Sequence, residues 1–216
     1  MGPVVRPASR LQNRLRFFES NGHSTHRVAY YERRLPHWHP EGKDIFLTWR
    51  LEGTLPHNRF VPPKGLTSGQ AFACIDRYLD KAICGPSWLR LPEIATVVVD
   101  SLHYHESELR QYILHAYVVM PNHVHILITP VVSVPKIMKS LKAFTAREAN
   151  AILNRTGLPF WQREFYDHWV REGEFDRIAR YIAQNPVKAG LATEPHLYPW
   201  SSAARRAAGL ATGSPV

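Results

Sequence analysis

Two histidines separated by one residue, His123 and His125, are the first candidates for chemistry in this sequence. They begin an apolar run in which Val124, Ile126 and Ile128 alternate with them. In a β-strand, residues two apart project from the same face, so both imidazoles would point to one side and the apolar side chains to the other. Imidazole is a common ligand for transition metals, and a third oxygen ligand with open positions would also admit magnesium or manganese. The pair therefore indicates a metal site.

A His-x-His pair alone is often incidental, and the chain contains two others. They are His37-Trp38-His39 and His103-Tyr104-His105. The first is predicted to lie in a loop and the second at the end of a helix, where residues two apart do not share a face. Of the three, the pair in the predicted strand has the setting that suits two ligands on one ion.

Tyr181 and Asn185 form a second candidate group. They are four positions apart in a segment with helical periodicity, so a phenol and an amide would lie one turn apart on one face. Pro186 disfavours helical backbone at Asn185 and is predicted to end the helix there. Spacing alone favours a core tyrosine followed by a C-terminal cap. The histidine pair changes this balance, because a weakly nucleophilic phenol becomes useful when a nearby cation polarises the phosphate that it attacks.

The elements that must position these side chains are predicted from hydrophobic periodicity and turn residues. Their order predicts an α+β domain in which helices pack on an antiparallel sheet. In chain order they are a strand at 45–51, helices from 67 or 68 to about 82 and at 92–103, a strand hairpin at 112–120 and 123–129, a helix at 135–153, a strand or extended segment at 160–170 and a helix at 174–184.

Composition places these elements in a basic globular chain. Its 216 residues, 44% of them hydrophobic, are enough for one main domain with end extensions. The formal net charge of +9 favours a polyanionic partner, although a merely basic surface gives the same count. Neither Cys74 nor Cys84 belongs to a Cys-x-x-Cys pair, which argues against a cysteine zinc site and fits a cytoplasmic protein. No apolar run is long enough to span a membrane.

Three motifs resemble those of the REP-associated tyrosine transposases, which belong to the single-tyrosine HUH transposases. The motifs are VMPNHVH at 119–125, FWQR at 160–163 and YIAQNPVKAG at 181–190, and PWSS at 199–202 also matches. The resemblance predicts a transposase domain at 43–202. A basic, partly ordered arm at 1–42 would precede this domain, and a tail at 203–216 would follow it.

The resemblance implies a ferredoxin-like or RRM-like sheet and a Mg²⁺ or Mn²⁺ ion held by His123, His125 and Asn185, with Tyr181 as the nucleophile. It also implies cutting of single-stranded DNA beside a folded hairpin, through a 5′-phosphotyrosine link that leaves a free 3′ hydroxyl and needs no nucleotide cofactor. Tyr166 also follows the histidine pair, but no amide stands four residues after it, so Tyr181 is preferred. Because dimers are common in the resembled family, a homodimer is a further expectation.

Six other residues are weaker candidates for DNA contacts. Four would contact phosphates, a fifth would stack on an unpaired base, and the sixth is a candidate for DNA binding in general. A solvated basic face and a core tryptophan explain the same residues equally well. The four are Lys136, Lys139, Lys142 and Arg147, the fifth is Trp161 and the sixth is Arg163.

Two other classes of function remain open. A non-catalytic nucleic-acid-binding module with an RRM-like sheet would hold RNA or DNA through basic and aromatic residues, with structural histidines. A zinc hydrolase of small molecules is disfavoured by the positive charge and because no carboxylate base is placed beside the histidines. Metal-dependent formation of a covalent protein–DNA complex distinguishes an enzyme from a binding module.

Overall fold

The computed structural model describes residues 28–32, 36–40, 42–55, 68–81 and 84–210 of the chain. Two short 3-10 helices, Trp88–Arg90 and Pro195–Leu197, accompany the main elements. The strands are β1 (Val28–Glu32), β2 (Pro36–Pro40), β3 (Ile45–Arg50), β4 (Tyr112–Val119), β5 (His123–Pro130) and β6 (Tyr166–Trp169). The helices are α1 (Ser68–Asp80), α2 (Pro92–Ser107), α3 (Val134–Ile152), α4 (Phe175–Lys188) and α5 (Ser202–Ala207).

The main sheet has four antiparallel strands in the order β4-β5-β3-β6. The predicted hairpin is strands β4 and β5, and β3 lies on the other side of β5. In this register His125 faces Thr48 of β3 and Val118 of β4. The predicted α+β architecture is therefore confirmed, and the histidine pair lies on an interior strand of the sheet.

The two faces of the sheet belong to two separate apolar clusters. Val124, Ile126 and Ile128 are fully buried in the cluster that includes residues of α2 and α3. Leu127, which has the same strand parity as His123 and His125, belongs to the other cluster, together with residues of α4. The two imidazoles thus project toward the α4 side, as the alternation in the sequence predicts.

Helix α4 extends beyond its predicted end. Pro186 lies inside the helix, which continues to Lys188, so the prediction that the helix ends at Asn185 is wrong. The backbone N–H groups of Ala189 and Leu191 donate to the carbonyls of Asn185 and Pro186 at 3.0 and 2.8 Å, which closes the last turn although proline supplies no N–H. Asn185 is consequently a buried residue within the helix and not a free amide at its end.

Strands β1 and β2 pair as a separate two-stranded antiparallel sheet, where no strand was predicted before residue 45. The residues between them, 33–35, read Arg-Arg-Leu and lack the Gly, Asn or Asp that signals a tight hairpin. The predicted arm at 1–42 therefore contains two strands, and residues 1–27 lie outside the described part of the chain.

Two details of the other histidine pairs also differ from prediction. His37-Trp38-His39 lies in strand β2 and not in a loop, and the pair at 103 and 105 lies within α2, which extends to Ser107.

The predicted tail at 203–216 contains most of α5, whose first turn is capped by Ser201 through its Oγ, 3.2 Å from the Ala204 nitrogen. Within the described ranges, none of the helices is both long and apolar enough to cross a membrane.

Candidate active site

The histidine pair lies at the start of β5, next to the turn that connects this strand to β4. His123 and His125 are fully buried, and their Nε2 atoms lie 3.1 Å apart. The two rings meet edge to face, with centroids 4.7 Å apart. The shared orientation that the spacing predicts is therefore present, and both Nε2 atoms point to one place.

Neighbouring side chains fix the orientation of each ring. Nδ1 of His123 lies 2.6 Å from Oδ1 of Asn122, and Nδ1 of His125 lies 2.7 Å from Oγ1 of Thr48. The amide of Asn122 is itself oriented, because its Nδ2 donates to the backbone oxygen of Leu79 at 3.0 Å. Its Oδ1 can only accept, so the neutral ring of His123 carries its proton on Nδ1 and its lone pair on Nε2.

Burial determines the charge state of His123. Removal from water, together with the charge of the neighbouring His125, lowers the pKa of His123 to about 3, although Asp76 opposes this shift. The imidazole of His123 is therefore neutral at neutral pH. Neutral imidazole is the form that binds metal ions.

Helix α1 brings a carboxylate to the histidines. Oδ1 of Asp76 lies 3.1 Å from Nε2 of His125 and 3.7 Å from Nε2 of His123, and the side chain is only 2% exposed. The three residues offer ligand atoms that all lie within 4.8 Å of one another. The expectation that no carboxylate is placed beside the histidines is thus wrong.

Sequence reasoning missed Asp76, although a signal was present. Phe72 and Leu79, four residues before and three residues after it, place Asp76 on the apolar side of its helix. A charged residue on an apolar helix face is rarely buried without a partner. This signal marks Asp76 as unusual but does not say which partner it meets.

The two aspartates of α1 differ in their charge state. Burial alone would raise the pKa of Asp76, but the interactions with His125 and His123 and a hydrogen bond from Asn185 outweigh it and hold this pKa below its ordinary value. Asp80 lies one turn later, with Oδ1 3.7 Å from Nε2 of His123. Burial and the charge of Asp76 raise the pKa of Asp80 to about 7. Of the two aspartates, Asp76 is therefore the one that is fully ionised at neutral pH.

Tyr181 reaches the same place from α4. Its hydroxyl donates to Oδ2 of Asp76, and its ring centroid lies 5.8 Å from that of His125. The ring contacts Phe46 and Phe72 at centroid distances of 6.1 and 6.3 Å. The side chain is partly buried, so the phenol lies at the border of the apolar cluster and not in its interior.

Asn185 lies one turn after Tyr181 and also faces the histidines. Its Nδ2 is 3.3 Å from Nε2 of His125 and 3.4 Å from Oδ2 of Asp76. The structure thus brings together all four residues that the sequence singled out, His123, His125, Tyr181 and Asn185, and adds Asp76 to them.

The donor atoms of this group fit a divalent cation. The Oδ1 atoms of Asp76 and Asn185 are buried and have no hydrogen-bond partner among the described residues. Buried oxygens normally have such partners, and lone pairs that face one another repel unless a proton or a cation lies between them. A mixed set of imidazole nitrogens and oxygens is suited to divalent metal ions.

Tyr166, the competing tyrosine, lies one ring further from this group. Its ring stacks on that of Phe72, with centroids 4.3 Å apart and an interplanar angle of 23°. Burial raises the pKa of Tyr166 to about 12, so this phenol forms phenolate less readily than an ordinary tyrosine does. Both observations support the preference for Tyr181.

Trp161 is a core residue and not a platform for bases. It is 7% exposed, its ring packs edge to face with Trp49 at 6.0 Å, and its Nε1 donates to Oγ1 of Thr145 at 2.9 Å. The ring is enclosed by protein atoms. The structure therefore supports a core tryptophan and not the expected stacking on DNA.

The basic candidates divide into two kinds. Lys142 stabilises the fold, since its Nζ donates to the backbone oxygens of residues 162 and 163 at 2.6 and 2.9 Å. The other four are exposed, as contacts to phosphates require, and their role in DNA binding remains a prediction. They are Lys136, Lys139, Arg147 and Arg163.

Known proteins that are similar to this chain include transposases. Residues 93–185 match the family described as "Transposase IS200 like", and this segment includes the histidine pair, Tyr181 and Asn185. A solved structure of a REP-associated tyrosine transposase bound to a REP hairpin aligns with a TM-score of 0.52 at 17% sequence identity, covering 86% of this chain and 99% of that one. A putative transposase from Deinococcus radiodurans aligns with a TM-score of 0.38 at 19% identity, covering 66% and 89% of the two chains. The comparison with curated proteins gave no match.

The likeness to the REP-associated transposase shows the fold, an antiparallel sheet with helices packed on it. The family match confirms the resemblance to the tyrosine transposases that the three motifs indicate.

Proposed function

We propose that this transposase-like chain is a metal-dependent single-stranded DNA endonuclease and strand transferase that forms a 5′-phosphotyrosine link beside REP-like hairpins. One observation carries the proposal. A phenol, two imidazoles and a carboxylate from three separate elements, α4, β5 and α1, converge on one buried place. These groups are distant along the chain, so their proximity is a product of the fold.

His123 and His125, with Asn185 as a third ligand, would hold a Mg²⁺ or Mn²⁺ ion. Such an ion, when bound, polarises the scissile phosphate and offsets the negative charge that develops on it. Asn185 would bind it through Oδ1, because an amide nitrogen has no lone pair to offer. This oxygen has no hydrogen-bond partner among the described residues, so it is free for that use after rotation of the amide.

The proposed reaction begins with in-line attack of the Tyr181 oxygen on the phosphorus. The hydroxyl proton leaves along the existing hydrogen bond to Oδ2 of Asp76, and the bond from phosphorus to the 3′ oxygen breaks. The 5′ end stays on the tyrosine, and the released 3′ oxygen takes up a proton. Because the phosphotyrosine keeps the energy of the bond, a second 3′ hydroxyl can reverse the step and join strands without ATP.

Charge and the structural neighbour support DNA as the substrate. The chain has a formal net charge of +9, and four exposed basic side chains lie on or near α3. The structural neighbour with a TM-score of 0.52 was solved with a REP hairpin bound. We therefore assign hairpin-flanked single strands as the substrate class.

The test uses labelled single-stranded oligonucleotides that carry REP-like hairpins, with Mn²⁺ present. Wild-type protein should form a denaturation-resistant covalent adduct with the 5′ end, and Tyr181→Phe should form none while retaining hairpin affinity. Tyr166→Phe is the matched control and should still form the adduct. An adduct on Tyr181→Phe protein would place the nucleophile elsewhere, and hairpin binding without any wild-type adduct would favour the non-catalytic binding module.

A further inference from the structure

We infer that Asp76 is a ligand of the same ion and, at the same time, the acceptor that holds the Tyr181 hydroxyl beside it. This inference rests on the proposed function and extends it to helix α1. Asp76 lies outside residues 93–185, the segment that matches the transposase family. The anionic part of the site would therefore come from a different part of the chain than its histidines and its tyrosine.

The two oxygens of the Asp76 carboxylate face different partners. Oδ1 faces the histidine nitrogens, at 3.1 Å from His125 and 3.7 Å from His123. Oδ2 accepts the hydrogen bond from Tyr181 and lies 3.4 Å from Nδ2 of Asn185. A carboxylate in this position can bind an ion through one oxygen and keep the nucleophile oriented through the other. The distance between nucleophile and ion would then be set by a single side chain.

Charge gives a second, independent reason. Imidazoles and an amide are neutral ligands, and a divalent ion surrounded only by them would keep its full charge away from water. The histidines are fully buried, and Asp76 is 2% exposed, so solvent offers little compensation. A carboxylate at this position would neutralise half of the charge of the ion and supply a strong oxygen ligand.

A purely structural role for Asp76 leaves one of its two buried carboxylate oxygens without a hydrogen bond to the described residues. Buried carboxylates are usually paired with Lys or Arg or surrounded by hydrogen-bond donors. In the described part of the chain, the ion-pair partners within 4.0 Å of Asp76 are His123 and His125. Its Oδ1 has no hydrogen-bond partner among those same residues. A bound cation would satisfy this oxygen.

Asp80 provides a matched comparison on the same helix. It lies one turn after Asp76, is more exposed, at 16% of its side chain, and lies 3.7 Å from His123. Among the described residues, Tyr181 and Asn185 form hydrogen bonds with Asp76 and none with Asp80. The same substitution at positions 76 and 80 therefore separates ligation from a general effect of negative charge near the histidines.

The first experiment titrates wild-type protein, Asp76→Asn and Asp80→Asn with Mn²⁺ and follows free Mn²⁺ by electron paramagnetic resonance. Asp76→Asn keeps the size of the side chain and an oxygen that can accept from Tyr181, but loses the charge. We expect it to weaken Mn²⁺ binding at least about tenfold, and Asp80→Asn to weaken it much less. Unchanged affinity in Asp76→Asn, or equal losses in both variants, would overturn the inference.

A second experiment detects ligation directly and does not depend on the first variant. Asp76→Cys should bind Cd²⁺ through the introduced thiolate, because soft ions prefer sulfur ligands, and should give the ultraviolet charge-transfer band of a cadmium–thiolate bond. Wild type, which already contains Cys74 and Cys84, and Asp80→Cys are the controls. A band in Asp76→Cys no stronger than in both controls would overturn the inference.

These outcomes are distinguishable from failure of the proposed function. A wild-type adduct together with unchanged Mn²⁺ affinity in Asp76→Asn would overturn only the role of Asp76. A wild-type protein that neither binds Mn²⁺ nor forms the adduct would overturn the proposed function and this inference together.

Discussion

Oδ1 of Asn122 lies 2.6 Å from Nδ1 of His123, while Nδ2 of the same amide donates to the backbone oxygen of Leu79 at 3.0 Å. One buried amide therefore orients the first histidine of the site and ties β5 to α1, the helix that carries Asp76. The asparagine that precedes the histidine pair thus links two of the elements from which the site is built.

Asn122→Ala should consequently affect both stability and metal binding. Removing two buried hydrogen bonds should lower the free energy of unfolding by about 1–3 kcal/mol, measured by urea denaturation without metal. Loss of the partner on Nδ1 should weaken Mn²⁺ binding about 10- to 100-fold, because the ring of His123 is no longer held in one tautomer. Thr48→Val removes the corresponding partner of His125 and is the matched variant. Reduced stability with unchanged Mn²⁺ affinity would limit Asn122 to a role in the fold.

Lys139 and Lys142, three positions apart on α3, should respond differently to alanine. Lys139 is exposed, so Lys139→Ala should weaken hairpin binding and reduce by about one the number of counterions released, given by the salt dependence of the affinity. Lys142 binds two backbone oxygens, so Lys142→Ala should lower the free energy of unfolding. If Lys139→Ala left the salt dependence unchanged, its predicted phosphate contact would be excluded.

Trp161→Ala should destabilise the protein by about 3–5 kcal/mol, as expected for removal of a large buried aromatic side chain. Trp161→Phe should have a smaller effect, dominated by loss of the hydrogen bond to Thr145. Chemical denaturation measures both. A folded Trp161→Phe protein should bind single-stranded DNA as wild type does, and a large loss of DNA affinity at wild-type stability would restore the stacking role.

Glu174, the residue that precedes α4, makes the free energy of unfolding dependent on pH. The hydrogen bond with His168, at 2.9 Å, is the main reason that the pKa of Glu174 falls to about 2, whereas the ordinary value of 4.5 applies in the unfolded chain. The unfolded chain therefore binds more protons between these values, so this stabilisation is present above pH 4.5 and is lost as the pH falls toward 2. The contribution of this interaction to the free energy of unfolding is limited, because the side chains of His168 and Glu174 are both partly exposed.

The comparison of wild type with Glu174→Gln checks this prediction. Their free energies of unfolding should differ above pH 4.5 and converge near pH 2. A difference that stayed constant over this range would show that the Glu174 carboxylate does not gain its stability from ionisation.

Local patterns account for the parts of the site that the sequence predicted. His123 and His125 alternate with buried apolar residues in one strand, and Tyr181 and Asn185 are one helical turn apart. Each pair is close in sequence, so the period of its own element fixes the relative direction of its side chains. The prediction that the two pairs meet came from their combined chemistry and from the family resemblance.

Asp76 and Thr48 could not be placed in the same way. Thr48 meets His125 through the pairing of β3 with β5, and Asp76 meets it through the packing of α1. Both contacts depend on tertiary register, which no local period specifies. The predicted helix end at Pro186 failed for a related reason. The conformational preference of a residue before proline is modest, and the hydrogen bonds of the last turn and the burial of Asn185 outweigh it.

Helix α4 packs against strands β4 and β5 of its own chain, with Ile178 and Ile182 buried in the same cluster as Leu127. The phenol therefore reaches the imidazoles of the molecule to which it belongs, and one polypeptide carries all the residues of the proposed site. Cleavage per molecule should then be insensitive to dilution, and a mixture of Tyr181→Phe and His123→Ala proteins should stay inactive. Recovered activity in that mixture would require the helix to detach and exchange between copies.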